Sequence, residues 1–561
     1  MDRETKRAIE EFRRNEAGPI ENNLIDELMA GDLSRKAFLR RSAMFGLGAG
    51  TVGALLGAVG EAPAAAANLG TRSAKSGGTL RVGLIAPTVT PEPSKLADEG
   101  GLGVASVPGE FLVFSDKNLQ LQPWLATSWK PNATATVWTF QIRKGVKFHN
   151  GQSLTADDVV STFKVLAGSK SAAASAFAGI LSPTGVVKSG PYTVQFHLQQ
   201  PTGGFPYLVS QTTYQAVILP KNYKGNWLAA KFVGTGPYKF VSYTPNLGAK
   251  FVRNTSYWGG TPPLDGVNVT FYAGGTAPQV LALKAGTLDL VQQLSAQEAA
   301  SFANNSKYQT WAVKTANHRE IGMRVDQAPF NDARVRRAVA LTLDRPGMIK
   351  TLFDGQGVVG NDNPIWTGYP SHNPTVKQRV QNITLAKALL AAAGKSNLSF
   401  TITTYKTQEI PDLAQIIQSD ANEAGINISL EFLSASDYYG SAPGADYQTT
   451  TPWLNRPVVI TDYGHRAIPN VFLTSAFESG GVWNQSHYAN PKLDSAIKSY
   501  IGAADLKTQQ KYAGTIEGIL LEDTPVIIPY FYSYVAVGSS KVKGYSPEGL
   551  GGLELRGVSL G

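Results

Sequence analysis

Arg143-Lys144-Gly145-Val146-Lys147-Phe148-His149-Asn150-Gly151, followed closely by Leu154-Thr155-Ala156-Asp157-Asp158-Val159, reads as a strand end, a turn and a helix start. Just upstream, Val137-Trp138-Thr139-Phe140-Gln141-Ile142-Arg143 alternates apolar with polar side chains, the pattern of a half-buried strand, and Lys144-Gly145 closes it with a turn. Thr155-Ala156-Asp157-Asp158 has the form of a capping box, in which the Thr155 hydroxyl satisfies an otherwise unpaired amide and the acidic pair complements the positive helix end. Val159, Phe163 and Leu166 then mark the buried face of the helix. His149 with Asp157 and Asp158 also admits a metal or acid–base reading, but the turn and the cap account for all three.

Outward from this segment the chain alternates helix with strand. Gly77-Gly78-Thr79 opens the folded part, and the apolar run Leu80 to Ile85 predicts a buried strand, with a proline-rich loop after it. Strands dominate from Gly234 to Tyr272, and Pro278 to Gly286 predicts a short helix ended by glycine. Asp332 to Leu343 predicts a strong helix, with Val335, Val339 and Leu343 on one face and Arg334, Arg336 and Arg337 on the other. Thr384 to Ala393 and Pro411 to Ala424 each predict a helix stopped by glycine, leading into the strands Leu398 to Thr403 and Ile426 to Leu433. A last helix around Leu506 to Leu521 feeds the apolar strand Val526 to Tyr530, expected to return to the first lobe.

The segment 1–67 reads as an export signal. Ser34-Arg35-Lys36-Ala37-Phe38-Leu39-Arg40 is twin-arginine-like, with Lys36 in place of the second arginine, and a weakly apolar Gly/Ala stretch runs from Ser42 to Gly60. Small residues at Ala64 to Ala67 place the expected cleavage near Ala67. The alternative is an N-terminal membrane anchor, which the six glycines of the stretch oppose. Gly48-Ala49-Gly50-Thr51-Val52-Gly53 spells a dinucleotide fingerprint, but no strand precedes it and no amphipathic helix follows. The expected destination is a periplasm. No apolar run after Gly60 is long enough to cross a bilayer, and the absence of cysteine removes disulfides, thiolate metal sites, cysteine nucleophiles and a lipoprotein anchor together. The remaining chain is long enough for several domains. The net charge of +9 over the whole chain is carried by dispersed basic residues, densest at Arg334, Arg336 and Arg337, so no nucleic-acid partner is expected.

The quoted Arg143 to Val159 segment closely resembles the signature of the family 5 extracellular solute-binding proteins, the peptide- and nickel-type receptors of ATP-driven (ABC) importers. The resemblance continues in order through Pro123-Trp124-Leu125-Ala126-Thr127-Ser128-Trp129, Gly234-Thr235-Gly236-Pro237-Tyr238, Tyr257-Trp258, Leu283-Lys284-Ala285-Gly286-Thr287-Leu288-Asp289 and Arg334-Val335-Arg336-Arg337-Ala338-Val339. It implies an α/β, periplasmic-binding-protein-like, two-lobed architecture with an additional family-type domain. The division that follows is a discontinuous domain I (77–110, 232–315 and 525–561), domain II (111–231) and domain III (316–524). An early lobe and a Phe330 to Leu521 lobe would close over the ligand by hinge motion. The expected partners are a small-molecule or peptide ligand and an inner-membrane ABC permease with its ATPase subunits. The receptor is expected to be a monomer without a cofactor.

The ligand-contacting position of the family's peptide receptors, an aspartate beside an aromatic with proline a few residues later, matches Asp462-Tyr463 with Pro469. A carboxylate in a dry cleft needs a partner, and a ligand ammonium is a natural one. The competing reading pairs Asp462 with Arg456 or Arg466 or lets it cap a turn. Val459 stands where an aromatic often sits in that family, and His465 and Arg466 add cationic contacts, which puts a plain dipeptide in doubt. A peptide backbone could add as a strand to an exposed edge at Val459 to Thr461. For a carbohydrate-conjugate or opine-like solute, Tyr405, Tyr438, Tyr439 and Tyr463 would instead offer stacking faces, or simply belong to the core. The site expected from sequence is therefore Tyr405, Val459, Thr461, Asp462, Tyr463, His465 and Arg466. An enzyme reading finds no nucleophile elbow, no His-Glu-x-x-His and no phosphate loop. A nickel carrier using His318, His465 or His487 finds no ligand pair at useful spacing.

Overall fold

Val137–Ile142 is a strand with Trp138, Phe140 and Ile142 buried, Gly145 turns the chain at φ +80°, and the helix Ala156–Leu166 begins after Thr155. Asp158 accepts from the Thr155 amide at 2.8 Å and its hydroxyl at 3.0 Å, and its other oxygen takes the Lys221 amide at 2.9 Å. The cap thereby also ties the helix to a distant loop. Asp157 pairs with Lys188 at 3.0 Å, and the His149 ring meets the Gly236 carbonyl at 3.0 Å. All three groups are occupied, Asp158 by the cap, Asp157 by an ion pair with Lys188 and His149 by the backbone of Gly236. The computed structural model describes residues 77–561 apart from 89, 97, 225–226, 228–231, 273–274 and 441–445, so the expected export signal lies outside the described residues.

A mixed 12-stranded sheet spans the molecule. Its main path runs from Asn427–Leu433 through Ser399–Tyr405, Val458–Tyr463, Tyr308–Met323, Tyr530–Ser539, Leu290–Leu294, Thr79–Ile85, Gly266–Tyr272 and Gly248–Arg253 to Tyr238–Thr244. Ser399–Tyr405 and Asn427–Leu433 run parallel, joined by the helix Ile410–Asn422, which Gly425 ends at φ +81°. A separate four-stranded antiparallel sheet carries Val137–Ile142.

Two strands connect the halves of the large sheet. Tyr308–Met323 pairs with Tyr530–Ser539 over Tyr308 to Val313, shifts register before Asn317, and then pairs with Val458–Tyr463 from His318 to Met323. The shift is a bulge bridged by a side chain: the Thr315 hydroxyl donates to the Tyr532 carbonyl at 2.6 Å and accepts from the Asn317 amide at 3.1 Å. The apolar side chains follow the same division. One core holds Leu80, Phe140, Phe163 and Val267, and two others hold Val335, Ile402 and Val459, and Ile497, Leu520 and Phe531.

One sequence expectation is corrected in the helix Ala333–Leu341. Arg334 and Arg337 face outward to Asp332 and Glu522, but Arg336 is buried. Its guanidinium donates to the carbonyls of Phe330 at 2.5 Å, Asp523 at 2.5 Å and Thr524 at 3.1 Å. The end of the helix Leu506–Asp523 leaves carbonyls without intrahelical partners, and a five-donor group satisfies them. The arginine cluster is therefore part scaffold. The expected strand Val526 to Tyr530 is likewise split, into Val526–Ile527 and Tyr530–Ser539, because Pro529 has no amide to donate.

Candidate ligand-binding site

The strand Val458–Tyr463 lies opposite the end of Tyr308–Met323, which places Arg319 directly across from Asp462. Cross-strand partners on one face are within contact distance, and these two carry opposite charge. The Arg319 guanidinium, 0% exposed, donates to Asp462, to both oxygens of Glu409 at 2.8 and 3.0 Å, and to Gln408 at 2.5 Å. It also donates to the Tyr532 hydroxyl at 3.0 Å and lies 4.6 Å over that ring. The Tyr530 hydroxyl donates to Glu409 at 2.9 Å. Burial lowers the affinity of Arg319 for its proton, but the charges of Asp462 and Glu409 outweigh it and hold the group well above its ordinary value. Gln408 sits in the left-handed region at φ +44°, a conformation a non-glycine residue keeps only when its surroundings hold it there. A cavity of about 190 Å³ abuts this network at Gln408, Glu409 and Tyr532.

Asp462 differs from Glu409 in one respect. The Glu409 side chain is 11% exposed, whereas that of Asp462 is 32% exposed, so Asp462 keeps an accessible surface beside its single guanidinium. Further acidic groups face it from the other half. The helix Glu99–Ala105 is capped by Asp98, which accepts from the Gly101 amide at 2.7 Å. A Cβ on Gly100 would stand 2.4 Å from the Ile85 carbonyl, so glycine lets this helix sit against the end of the first strand. Burial, and after it the negative charge of Asp462, pushes the Glu99 carboxyl up to about 7 against the opposing pull of Arg466. Asp462 and Glu409 thus share the one guanidinium of Arg319, and Glu99 feels the negative charges of Asp462 and Asp98 against the positive charge of Arg466.

The residues expected from sequence separate into two environments. Asp462 and Arg466 belong to the charged cleft, and neither Arg456 nor Arg466 forms an ion pair with Asp462 in the structure. Val459 is core, Thr461 donates to Gln485 at 2.7 Å, and Tyr463 stacks on His318 at 5.4 Å. His465 is neutral scaffold: its Nδ1 accepts from the Ala316 amide at 2.9 Å, and burial lowers its pKa to about 3. Tyr405 stacks on Tyr438 at 5.0 Å and meets Tyr439 edge-on, so these rings spend their faces on one another. Val459 to Thr461 is also not an open edge. The strand pairs with Tyr308–Met323 on one side and with Thr403 on the other, and the Ile460 carbonyl takes the hydroxyls of Tyr438 and Thr404 at 2.8 and 2.9 Å. Sequence reading missed Arg319, Gln408, Glu409, Tyr530, Tyr532 and Glu99. Two signals were present: the consecutive titratable residues His318, Arg319 and Glu320 directly before Ile321, and tyrosines at alternate positions 530, 532 and 534.

Among the described residues no group of three or more His, Asp or Glu side chains is arranged to hold a metal ion, and no helix is long and apolar enough to cross a membrane. The family model described as bacterial extracellular solute-binding proteins, family 5 middle, matches residues 120–484. The chain is 26% identical over 504 residues to the oligopeptide-binding protein AppA of Bacillus subtilis (strain 168), covering 84% of this chain and 89% of that protein. It is 25% identical over 485 residues to heme-binding protein A of Haemophilus influenzae, covering 81% and 87%. The structure of AppA in complex with a nonapeptide superposes with a TM-score of 0.67 at 23% identity, covering 87% of this chain and all of that one.

Proposed function

Because the chain belongs to the bacterial extracellular solute-binding proteins of family 5, we propose that it is a receptor that captures a peptide or another amine-bearing small solute between its halves and delivers it to an ABC import permease. The observation that carries the amine is Asp462, a partly exposed carboxylate whose one guanidinium is shared with Glu409 in a cleft with excess negative charge. A ligand ammonium there forms a charge-assisted hydrogen bond and offsets the repulsion between Asp462 and Glu99. The oligopeptide-binding relative supports the peptide form of this reading. The stacking faces that a carbohydrate-conjugate or opine-like solute would need are occupied by the Tyr405, Tyr438 and Tyr439 cluster. Binding alone accounts for the function, with no covalent step.

In this reading the two strands that cross at the Val313 to Asn317 register shift are the hinge, which supports a division into domain I (77–110, 232–315, 525–561), domain II (111–231) and domain III (316–524). Ligand contacts made from both halves favour closure, and the closed form docks on the permease. Residues 1–67 serve as a twin-arginine-like export signal cleaved near Ala67, and the receptor works as a diffusible monomer in the periplasm. Mass spectrometry of whatever co-purifies with the native protein tests the ligand class. A peptide or another solute with a cationic nitrogen is the expected result; a bound solute without one would overturn the reading.

Glu99 adds a pH dependence with a definite sign. Its carboxyl, at about 7 in the free protein, is pulled lower by a bound ammonium, so binding releases protons near neutrality and affinity rises as pH increases through about 7. Calorimetry in buffers of different ionisation enthalpy measures this release. Proton uptake, or pH-independent affinity between pH 6 and 8, roughly the range one unit either side of that carboxyl, would contradict the role of Glu99.

A further inference from the structure

A second cavity, of about 240 Å³, lies between the Gln120–Tyr207 part of the chain and the C-terminal half, apart from the Arg319 network. Trp129, Trp138 and Tyr207 line it from one side, and Tyr369, Ile468 and Tyr500 from the other. The polar ends of four of these rings are already occupied. The Tyr207 hydroxyl donates to the Leu119 carbonyl at 2.7 Å, that of Tyr369 to the Arg466 carbonyl at 2.8 Å, and that of Tyr500 shares a 2.7 Å bond with Ser371. Trp138 Nε1 donates to the Thr202 carbonyl at 3.1 Å. What the rings leave for the cavity is apolar surface. The walls are held together by backbone, since the Gly203 amide donates to the Ile501 carbonyl at 2.9 Å, and a Cβ on Gly203 would meet the Ala503 carbonyl oxygen at 1.7 Å.

We propose that this cavity is a second ligand site, which takes a neutral, planar aromatic group of about the size of a fused bicyclic ring. A dry cavity of about 150 Å³ accommodates benzene, so this one has room for a second ring. A ring bound there buries apolar area against both halves at once and meets aromatic faces and edges at stacking geometry. No charged side chain except the exposed Lys130 lines the site, which sets it apart from the acidic cleft at Asp462. The cavity nevertheless adjoins that cleft, because Ala467 lines it and Tyr369 holds the Arg466 carbonyl. The aromatic group can therefore arrive as a side chain of the ligand held at Asp462 or as a separate molecule.

Calorimetric titration of the full chain with indole tests the site without recourse to any peptide, so its failure is distinguishable from failure of the Asp462 reading. Saturable one-to-one binding is expected. Ala504→Trp, at an exposed position on the rim, fills the cavity and should abolish binding, and Trp129→Ala should weaken it at least about tenfold. The peptides Ala-Ala-Trp-Ala and Ala-Ala-Ala-Ala then separate the two sources. Displacement of indole by the tryptophan peptide but not by the alanine peptide assigns the site to a ligand side chain; simultaneous binding of indole with the tryptophan peptide assigns it to a separate molecule. No saturable binding of indole, or binding that both substitutions leave unchanged, overturns the proposal.

Discussion

Replacing Arg319 with methionine is expected to lower the free energy of unfolding by about 3–5 kcal/mol, the cost of breaking a buried charge pair from one side. The guanidinium is fully buried and donates to Asp462, Glu409, Gln408 and Tyr532. The loss falls unevenly on its partners. Asp462 is 32% exposed and regains water, whereas Glu409, 11% exposed, keeps only the Tyr530 hydroxyl among these donors. Pairing Arg319→Met with Glu409→Met removes both buried charges and should recover most of the loss. The exposed pair of Arg456 with Glu431, 3.5 Å apart and about half exposed, provides the comparison, and Arg456→Met should cost less than about 1 kcal/mol. Urea denaturation measures all three variants. Equal effects of Arg319→Met and Arg456→Met would show that the buried network adds nothing to the fold.

Asp462→Asn is expected to weaken binding of a free-amine peptide by about 2 kcal/mol or more, roughly thirtyfold in Kd, while leaving the fold intact. The asparagine keeps the shape and the hydrogen bond of the aspartate but not its charge. Arg319 remains neutralised by Glu409 through two bonds, so the substitution does not strand a buried cation. The partial exposure of Asp462 places the effect toward the lower end of the range for buried charge pairs. The Glu99 carboxyl loses the repulsion of Asp462 in this variant, which lowers its pKa and moves the pH dependence of binding to lower pH.

The local part of this fold was legible. The cap at Asp158, the turn at Gly145 and the helix stop at Gly425 each follow from a few adjacent residues, because turns and caps are short-range chemistry. The resemblance to the solute-binding family rested on such segments, which are scaffold. The site was only partly legible, because its contacts join residues far apart in sequence. Arg319 reaches Glu409 and Tyr532 across separations of 90 and 213 residues, and no window of sequence holds the three together. Strand alternation alone separates Asp462 from Val459, Thr461 and Tyr463, which point to the opposite face and pack. Arg336 illustrates the same limit. Its helical spacing does not reveal that the carbonyls of another helix end lie against it.

The central claim, that Asp462 selects a ligand amine, is tested most directly by calorimetric titration of wild-type protein and the Asp462→Asn variant with trialanine and N-acetyl-trialanine. Wild-type protein should bind trialanine more tightly than its acetylated form by roughly thirtyfold or more, and the substitution should remove most of that preference. Equal affinity of the wild-type protein for the two peptides, or a preference that survives in Asp462→Asn, would contradict it.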